Sequence, residues 1–434
     1  MQRRVRRRVV ITGLGVVAPN GIGKKLFWDA SVAGRSGIRS ITRFDASRLQ
    51  TRIAGEVPDF DAHALGLTQI ETTYMDRGTQ FAIAAANLAL QDANILNCGN
   101  AFSTDELDRI GVYMGTAMAS AAEGEKLWTQ LTNYGAHQPR PMQKDDFIPA
   151  TLLMTHASAA AIASHHKFHG PCTVITTGCS AGADAIGQAY WTIEEGRADR
   201  MLAGGADSAI SYGGINVFSV IGAVSTRNDE PERASRPYDA ERDGFVMAEG
   251  AGVLLLEERN QALARNAHIY AEIISFTSNS NAHHMAALPQ DGMPLQQLLQ
   301  QALQDAHITQ EQLGYINSHG SSTPANEVAE THAYKAVFGD YAYNIPISAT
   351  KSMIGHTQGA ASAIEAIVTA LVLDHQTLPP TINQEHPDPQ CDLDYVPNVA
   401  RNAHVDVALT HSSGFGGVNS ALILARSNWQ NTSL

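Results

Sequence analysis

The spacing of apolar residues divides the chain into short β-like runs and longer helix-like stretches. Two Ala-rich segments, 80–94 and 181–195, carry apolar residues at helical spacing. Runs rich in Val, Ile, Leu and Ala predict strands at 8–17, 109–115, 173–177, 200–205 and 250–257. Strands that alternate with helices in this way are typical of α/β proteins, so the pattern predicts an α/β fold.

The two halves of the chain repeat a similar pattern. Residues 173–195 give a strand, a glycine turn and an Ala-rich helix, and residues 346–373 give the same order. We therefore predict two similar halves, 1–267 and 268–434, the second opening with a strand at 268–276. No Pro/Ser-rich linker separates them, so we expect them to share one core. Chance echoes within an ordinary α/β chain remain the alternative on this pattern alone.

Composition excludes several classes of protein. A chain of 434 residues that is 44% hydrophobic and 17% charged has enough apolar material for a large core, unlike a disordered, fibrous or small disulfide-rich protein. The net charge of −13 argues against nucleic acid or an anionic membrane as the partner. The sequence has no apolar run of about 18 residues, the length that a membrane-spanning helix needs.

The cysteines indicate reduced thiols. Cys98, Cys172, Cys179 and Cys391 lack the density of a disulfide framework and the paired spacing of a zinc site. The apolar stretch 9–18 is broken by glycines and followed by Pro and Asn, which indicates a strand and turn rather than a signal peptide. We therefore expect a cytoplasmic protein without a bound metal.

One glycine motif near the start suggests a nucleotide site only formally. Gly13-Leu14-Gly15 fits the beginning of a dinucleotide-binding fingerprint. The residues that follow include Pro19, Asn20 and Gly21, which would end the helix that must hold the pyrophosphate. We interpret this glycine pair as part of a turn.

A second glycine motif offers two nucleophiles. The sequence Gly-Cys-Ser-Ala-Gly at 178–182 is a nucleophile elbow if Ser180 reacts, and a thiol at a strand-to-helix turn if Cys179 reacts. In both cases the side chain stands at a helix N-terminus, where the dipole favours an anion and should lower a thiol pKa. A buried structural cysteine is the alternative.

Three further loops carry candidate chemistry. His319 follows a predicted strand among small hydroxylated residues, and His356 lies in a glycine turn before an Ala-rich helix. A Gly-Phe-Gly-Gly loop at 414–417 is suited to bring a backbone N–H to a reacting carbonyl, and serves equally well as a turn between strands. Together these loops predict a polar catalytic pocket.

With Cys179, His319, Lys351, His356 and the 414–417 loop in this order, the chain resembles the elongating β-ketoacyl-acyl-carrier-protein synthases. The resemblance runs from residue 9 to residue 424 and includes further matching stretches at 10–15, 225–231, 234–237, 242–246 and 391–397. It implies the thiolase-like fold, a duplicated five-layered α-β-α-β-α arrangement.

The resemblance also implies a mechanism. Cys179 takes an acyl chain from an acyl carrier protein, and His319 and His356 stabilise the enolate formed when malonyl-carrier protein loses carbon dioxide. Backbone N–H groups of Cys179 and Phe415 hold the oxyanion, and Phe415 also acts as a gate. No bound cofactor is implied, because the substrates ride on the phosphopantetheine arm of the carrier.

Supporting residues and partners follow from the same resemblance. Lys351 and Glu330 fall where the family keeps a charged pair that orients the histidines, and Ser321 and Thr323 match hydroxyls that bind the pantetheine arm. The family forms dimers, so we expect a homodimer or a heterodimer with a chain-length-factor homologue. We expect no nucleic acid and no membrane as partner.

Small departures narrow the pathway. The Thr-Gly-Cys turn at 177–179 and Ser413 before the glycine loop are similar to ketosynthase alpha subunits of type II polyketide systems. Other stretches look as much like the fatty-acid enzymes, so we predict polyketide or polyene chain elongation with fatty-acid elongation as the alternative. Two more alternatives are a serine acyl hydrolase that uses Ser180 and a non-catalytic chain-length partner.

Overall fold

The computed structural model describes residues 6–96, 102–143 and 154–430. The strands in this part are β1 Val9–Ala18, β2 Gly21–Ile22, β3 Arg39–Ser40, β4 Ile53–Ala54, β5 Ile110–Gly115, β6 Cys172–Ile175, β7 Arg200–Asp207, β8 Gly250–Glu258, β9 Ala271–Ser280, β10 Tyr315–Asn317, β11 Ile347–Ser348, β12 Thr377–Leu378, β13 Arg401–Asn402, β14 Val407–Ser413 and β15 Val418–Ala425. The α-helices are α1 Lys24–Val32, α2 Gln69–Tyr74, α3 Arg77–Asp92, α4 Thr104–Leu107, α5 Ala121–Thr132, α6 Ala157–His166, α7 Ala181–Glu194, α8 Tyr212–Val220, α9 Arg259–Ala264, α10 Met293–Asp305, α11 Asn326–Phe338, α12 Lys351–Ile354 and α13 Ala361–His375.

The strand topology contains the same unit twice. One set of strands runs β6-β5-β7-β8-β1, and the second runs β11-β10-β14-β15-β9. In each set the first two pairings are parallel and the last two are antiparallel. The sets meet where β1 pairs antiparallel with β9. The repeated order agrees with the predicted duplication. The boundary at 267/268 falls in the connection between α9 and β9 and remains a prediction.

Helices and strands stack in five layers. Helices α3 and α6 cover the outer face of the first strand set, and α10 and α11 cover the outer face of the second. Helices α7 and α13 lie between the sets and pack against strands of both. Residues 361–373 of α13 are all buried, as expected for a helix that is apolar on every side.

The glycine pair in β1 has a packing role. Gly13 and Gly15 lie within the strand, so the interpretation of this pair as a turn is wrong. A Cβ at Gly15 would lie 1.8 Å from the backbone oxygen of Ala85, and a Cβ at Gly13 would lie 2.2 Å from that of Ala89. Helix α3 therefore rests directly on the strand backbone, which only glycine allows.

The described residues also include three of the four cysteines and the helices named above. Cys172, Cys179 and Cys391 are free thiols, whereas Cys98 lies outside the described residues. Among the helices that the structure describes, none has the length and apolar character that crossing a membrane requires.

We predict that Gly15→Ala destabilises the protein severely, because the added methyl group would overlap a helix backbone that cannot move without breaking the core. Gly124→Ala is the matched control, since its Cβ would meet no atom within 4 Å and alanine favours the helix by about 1 kcal/mol. Thermal unfolding of both variants checks this. An unchanged melting temperature for Gly15→Ala would contradict the packing argument.

Candidate active site

Cys179 sits in the tight turn that joins β6 to α7. Gly178 adopts a φ of 63°, which turns the chain out of the strand, and residues Gly178–Ser180 form one 3-10 turn that leads directly into the helix. The Cys179 side chain is buried at 5% exposure. The predicted thiol at a strand-to-helix turn is therefore present.

Two histidines from the second half converge on this thiol. His319 follows β10, and His356 follows α12 and the glycine turn at Gly355. One ring nitrogen of each histidine and the sulfur of Cys179 lie within 4.8 Å of one another. The imidazole rings stand at 77° to each other with centroids 5.4 Å apart. The fold thus brings Cys179 beside two histidines that follow it by 140 and 177 positions in the sequence.

The hydrogen bonds of the two rings place their protons. The backbone N–H of Gln358 donates to Nδ1 of His356 at 3.1 Å. Nδ1 of His319 lies 3.2 Å from the hydroxyl of Ser412, which can donate or accept, and 3.3 Å from the ammonium of Lys351, which can only donate. Since both Nδ1 atoms accept, each neutral ring carries its proton on Nε2.

This proton placement bears on metal binding. Sulfur and imidazole nitrogen are zinc ligands, and the three side chains are close enough to share an ion. A metal-bound imidazole normally donates its other N–H, whereas here Nδ1 of both rings receives hydrogen bonds. The arrangement suits two N–H donors facing a thiol better than a metal centre.

Burial keeps both histidines neutral. Removal from water lowers the pKa of His319 and of His356 well below the usual value, and the positive charge of Lys351 lowers both further. The site therefore presents neutral imidazole donors at neutral pH.

We expected the pKa of the Cys179 thiol to be lowered, but burial raises it. Burial raises the pKa of the Cys179 thiol to about 11, while the charge of Lys351 and hydrogen bonds from the N–H groups of Phe415 and Cys179 lower it only in part. The expectation of a lowered pKa was wrong because desolvation outweighs the helix N-terminus. At rest the site holds a thiol.

The Gly-Phe-Gly-Gly loop is both a hairpin turn and part of the site. It joins β14 to β15, and the backbone N–H of Phe415 lowers the pKa of the Cys179 thiol. The Phe415 side chain is 40% exposed and stacks on Phe218 of α8 with ring centroids 6.0 Å apart. One residue thus offers an N–H inside the site and a ring at its mouth.

The predicted charged pair is different from the one observed. Lys351 forms its ion pair with Glu365 of α13, and its ammonium also donates to the carbonyl oxygen of His319 at 2.7 Å. Glu330 accepts hydrogen bonds from the Tyr238 hydroxyl and, at 3.1 Å, from the N–H of Gly320. The pairing of Lys351 with Glu330 is therefore corrected, because Glu330 supports the His319 loop through its backbone.

Glu365 was missed by sequence reasoning. It stands alone as an acidic residue among the apolar residues 361–373 of α13. A charged residue inside an otherwise apolar helix is buried only when it is paired. The sequence therefore indicated that Glu365 is buried and paired, but it did not indicate that Lys351 is the partner.

The remaining candidates occupy distinct positions. Ser321 is buried, and its hydroxyl lies 2.9 Å from that of Thr323 beside the His319 loop. The Ser180 hydroxyl is fully buried and donates to the carbonyl oxygens of Ser412 and Val418, at 3.2 and 3.0 Å. Neither of these partners is a base, which disfavours a serine nucleophile.

Comparison with known proteins agrees with this geometry. Residues 6–262 match the family model of the β-ketoacyl synthase N-terminal domain, and residues 270–385 match that of its C-terminal domain. The chain is 44% identical to the granaticin polyketide putative β-ketoacyl synthase 1 of Streptomyces violaceoruber over 97% of this chain and 98% of that protein. It is 43% identical to 3-oxoacyl-acyl-carrier-protein synthase 2 of Coxiella burnetii over 97% and 99%.

Solved structures give the same result. A type II polyketide ketosynthase bound to the hexaketide, in complex with its acyl carrier protein, superposes with a TM-score of 0.88 at 37% identity, covering 98% of this chain and all of that one. The ishigamide ketosynthase/chain length factor superposes at 0.87 with 34% identity over 98% of this chain and all of that one. The fold is thiolase-like, as predicted. The chain belongs to the β-ketoacyl synthase family.

Proposed function

We propose that this enzyme elongates an acyl chain by decarboxylative condensation with malonyl-acyl-carrier protein, in a type II polyketide or polyene pathway. The observation that carries the proposal is a thiol and two neutral imidazole groups, with reactive atoms within 4.8 Å, in a buried site. This arrangement provides one nucleophile and two hydrogen-bond donors.

The first half-reaction loads the acyl chain. The Cys179 sulfur attacks the thioester carbonyl of the acyl-carrier protein, and the carrier leaves as its free thiol. The proton that Cys179 loses matches the one that the departing pantetheine sulfur gains. The N–H groups of Cys179 and Phe415, both of which lower the pKa of the thiol, hold the oxyanion of the tetrahedral intermediate.

The second half-reaction forms the carbon–carbon bond. The malonyl thioester loses carbon dioxide, and Nε2–H groups of His319 and His356 stabilise the enolate oxygen. The enolate carbon attacks the Cys179 thioester, which releases β-ketoacyl-carrier protein and a thiolate. The raised pKa of Cys179 favours uptake of one proton by that thiolate, which restores the resting thiol.

Neighbouring residues position these groups. The Lys351–Glu365 pair holds the His319 ring through Nδ1, and Glu330 holds the backbone that follows it. Ser321 and Thr323 offer hydroxyl groups to the pantetheine arm. The reaction as drawn uses no metal or further cofactor, since the carrier's own arm brings both substrates.

The relatives support both a polyketide pathway and fatty-acid elongation. The polyketide and the 3-oxoacyl synthase 2 relatives have nearly equal identity to this chain, 44% and 43%. Thr177, Gly178 and Ser413 favour the polyketide side, with fatty-acid elongation as the second candidate. We place the enzyme in the cytoplasm, where a free thiol stays reduced, and pair it with a chain-length-factor homologue or a second copy.

Carrier docking also has a candidate surface. Arg35, Arg39, Arg48 and Arg52 are exposed, and none of them has an ion-pair partner within 4 Å among the described residues. Their segment reaches the site mouth, because Phe44 packs edge-on against Tyr212 of α8, the helix whose Phe218 stacks on Phe415. In a chain of net charge −13, this positive surface would attract an acidic carrier.

The condensing mechanism predicts the fate of an acyl adduct. Incubation with acyl-carrier protein should add one acyl mass to the wild type and to Ser180→Ala, and none to Cys179→Ala. His319→Ala and His356→Ala should load the acyl chain but release carbon dioxide from malonyl-carrier protein at least 100-fold more slowly. Intact mass spectrometry and carbon dioxide release measure these steps. An adduct on Cys179→Ala, or its hydrolysis without malonyl-carrier protein, would favour a serine hydrolase.

The raised thiol pKa predicts a pH dependence. Because alkylation requires thiolate, iodoacetamide inactivation should accelerate about tenfold per pH unit from pH 7 to 10 without a plateau. Lys351→Met/Glu365→Gln should slow inactivation at each pH, since the lysine charge lowers the pKa of Cys179 more than Glu365 raises it. The double variant leaves no unpaired buried charge. A plateau near pH 8 would show a lowered pKa instead.

Charge reversal tests the docking surface. Arg48→Glu/Arg52→Glu should raise KM for acyl-carrier protein roughly tenfold, with a smaller effect at high salt. Transfer from a small acyl-pantetheine thioester should be unchanged. Lys167→Glu, an exposed residue at the end of α6, is the control and should leave both values unaltered. An equal loss of activity with acyl-carrier protein and with the small thioester would show that the substitutions damage the active site and not carrier docking.

A further inference from the structure

A buried carboxylate outside the reacting groups collects an unusual number of hydrogen bonds. Asp207 ends β7 and is 1% exposed. Its two oxygens accept five hydrogen bonds, and none comes from a charged side chain. The donors are Thr116 Oγ1 at 2.6 Å, Ala117 N at 2.7 Å, Met118 N at 3.1 Å, Ala119 N at 3.1 Å and Gly359 N at 2.7 Å.

The donors belong to two separate segments. Four of them lie in the loop 116–119 that follows β5, in the first half of the chain. The fifth, Gly359, lies in the turn after His356, in the second half. Gln358, the residue directly before Gly359, donates its N–H to Nδ1 of His356 at 3.1 Å. Asp207 thus holds the peptide next to the one that sets the His356 tautomer.

Both segments contain a residue in an unfavourable backbone conformation that contacts from elsewhere in the fold must stabilise. Gln358 has a φ of 55° and Ala119 a φ of 45°, in the left-handed region that is unfavourable for a residue with a side chain. Asp207 bonds the N–H of Ala119 and the N–H directly after Gln358. The Gln358 side chain does not fix this conformation, because its buried Nε2 has no hydrogen-bond partner among the described residues.

We propose that Asp207 is a positioning residue for His356. Its bond to Gly359 keeps Gln358 in the left-handed conformation, the Gln358 N–H stays on Nδ1, and the imidazole proton stays on Nε2, facing Cys179. The inference rests on the proposed function, in which that Nε2–H stabilises the enolate. Burial raises the pKa of Asp207 to about 6, so at neutral pH the carboxylate is ionised and accepts all five bonds.

Asp207→Asn tests the proposal, because an amide nitrogen would face N–H donors that need an acceptor. Carbon dioxide release from malonyl-carrier protein should fall about 100-fold, while acyl loading of Cys179 stays within about threefold of wild type. In ¹⁵N-histidine NMR, the single Nε2–H tautomer of His356 should give way to a mixture. Glu257→Gln is the control for the loss of a buried carboxylate. It lies in β8 at the other end of the same strand pair, where its partners are Arg200 and Arg265 and not the His356 turn.

A rescue experiment separates positioning from general stability. Glycine adopts a φ of 55° freely. The double variant Asp207→Asn/Gln358→Gly should therefore release carbon dioxide about tenfold faster than Asp207→Asn alone, and the Nε2–H signal of His356 should return. If Asp207→Asn does not fold, Thr116→Val serves instead. It removes one donor to Asp207, the Thr116 hydroxyl at 2.6 Å, and keeps the carboxylate, so it should give the same split between decarboxylation and loading to a smaller degree.

The outcomes are distinct. Normal decarboxylation with one His356 tautomer in Asp207→Asn would overturn the proposal, as would equal losses of loading and decarboxylation without rescue. A wild type that never releases carbon dioxide from malonyl-carrier protein would overturn the proposed function. The NMR tautomer measurement tests the Asp207 contact independently of that result.

Discussion

The whole site depends on how closely the two central helices approach at their N-terminal ends. A Cβ at Gly182 of α7 would lie 2.8 Å from the Cβ of Ala363 in α13, so the helices touch where their side chains are smallest. The hydroxyl of Ser362 accepts the N–H of Ala183 at 2.9 Å and pins the contact. Cys179 precedes one helix and His356 precedes the other. The approach of these two helices therefore brings the nucleophile and one imidazole together.

Such close packing also removes water, and this sets the protonation of every reacting group. Desolvation disfavours charge, so it raises the pKa of Cys179 and lowers the pKa of both histidines. Lys351 and Glu365 form a buried ion pair in this interior. A buried pair of this kind adds little stability. Its role is instead to position His319, which the Lys351 ammonium contacts.

The sequence indicated the elements and the loops that carry the chemistry, but not the partners of buried charges. Strands and helices followed from apolar spacing, and the residues around Cys179, His319 and His356 followed from glycine turns. The position of Gly13 and Gly15 within a strand depends on α3, which is distant in sequence and packs on their backbone. Glu365 and Asp207 were missed for a similar reason. Their roles arise from N–H groups and charges that only the folded chain brings near.

The duplicated topology explains why these long-range contacts recur at equivalent places. The second strand of each set, β5 and β10, ends in the loops that carry Thr116 and His319. The first strand of each set leads to further site residues: β6 to Cys179, and β11 to Lys351 and His356. The first half thus supplies the nucleophile and the Asp207 carboxylate, and the second supplies the imidazole donors and the charged pair. Because Asp207 bonds Gly359 across the two halves, the site is complete only when both are packed together.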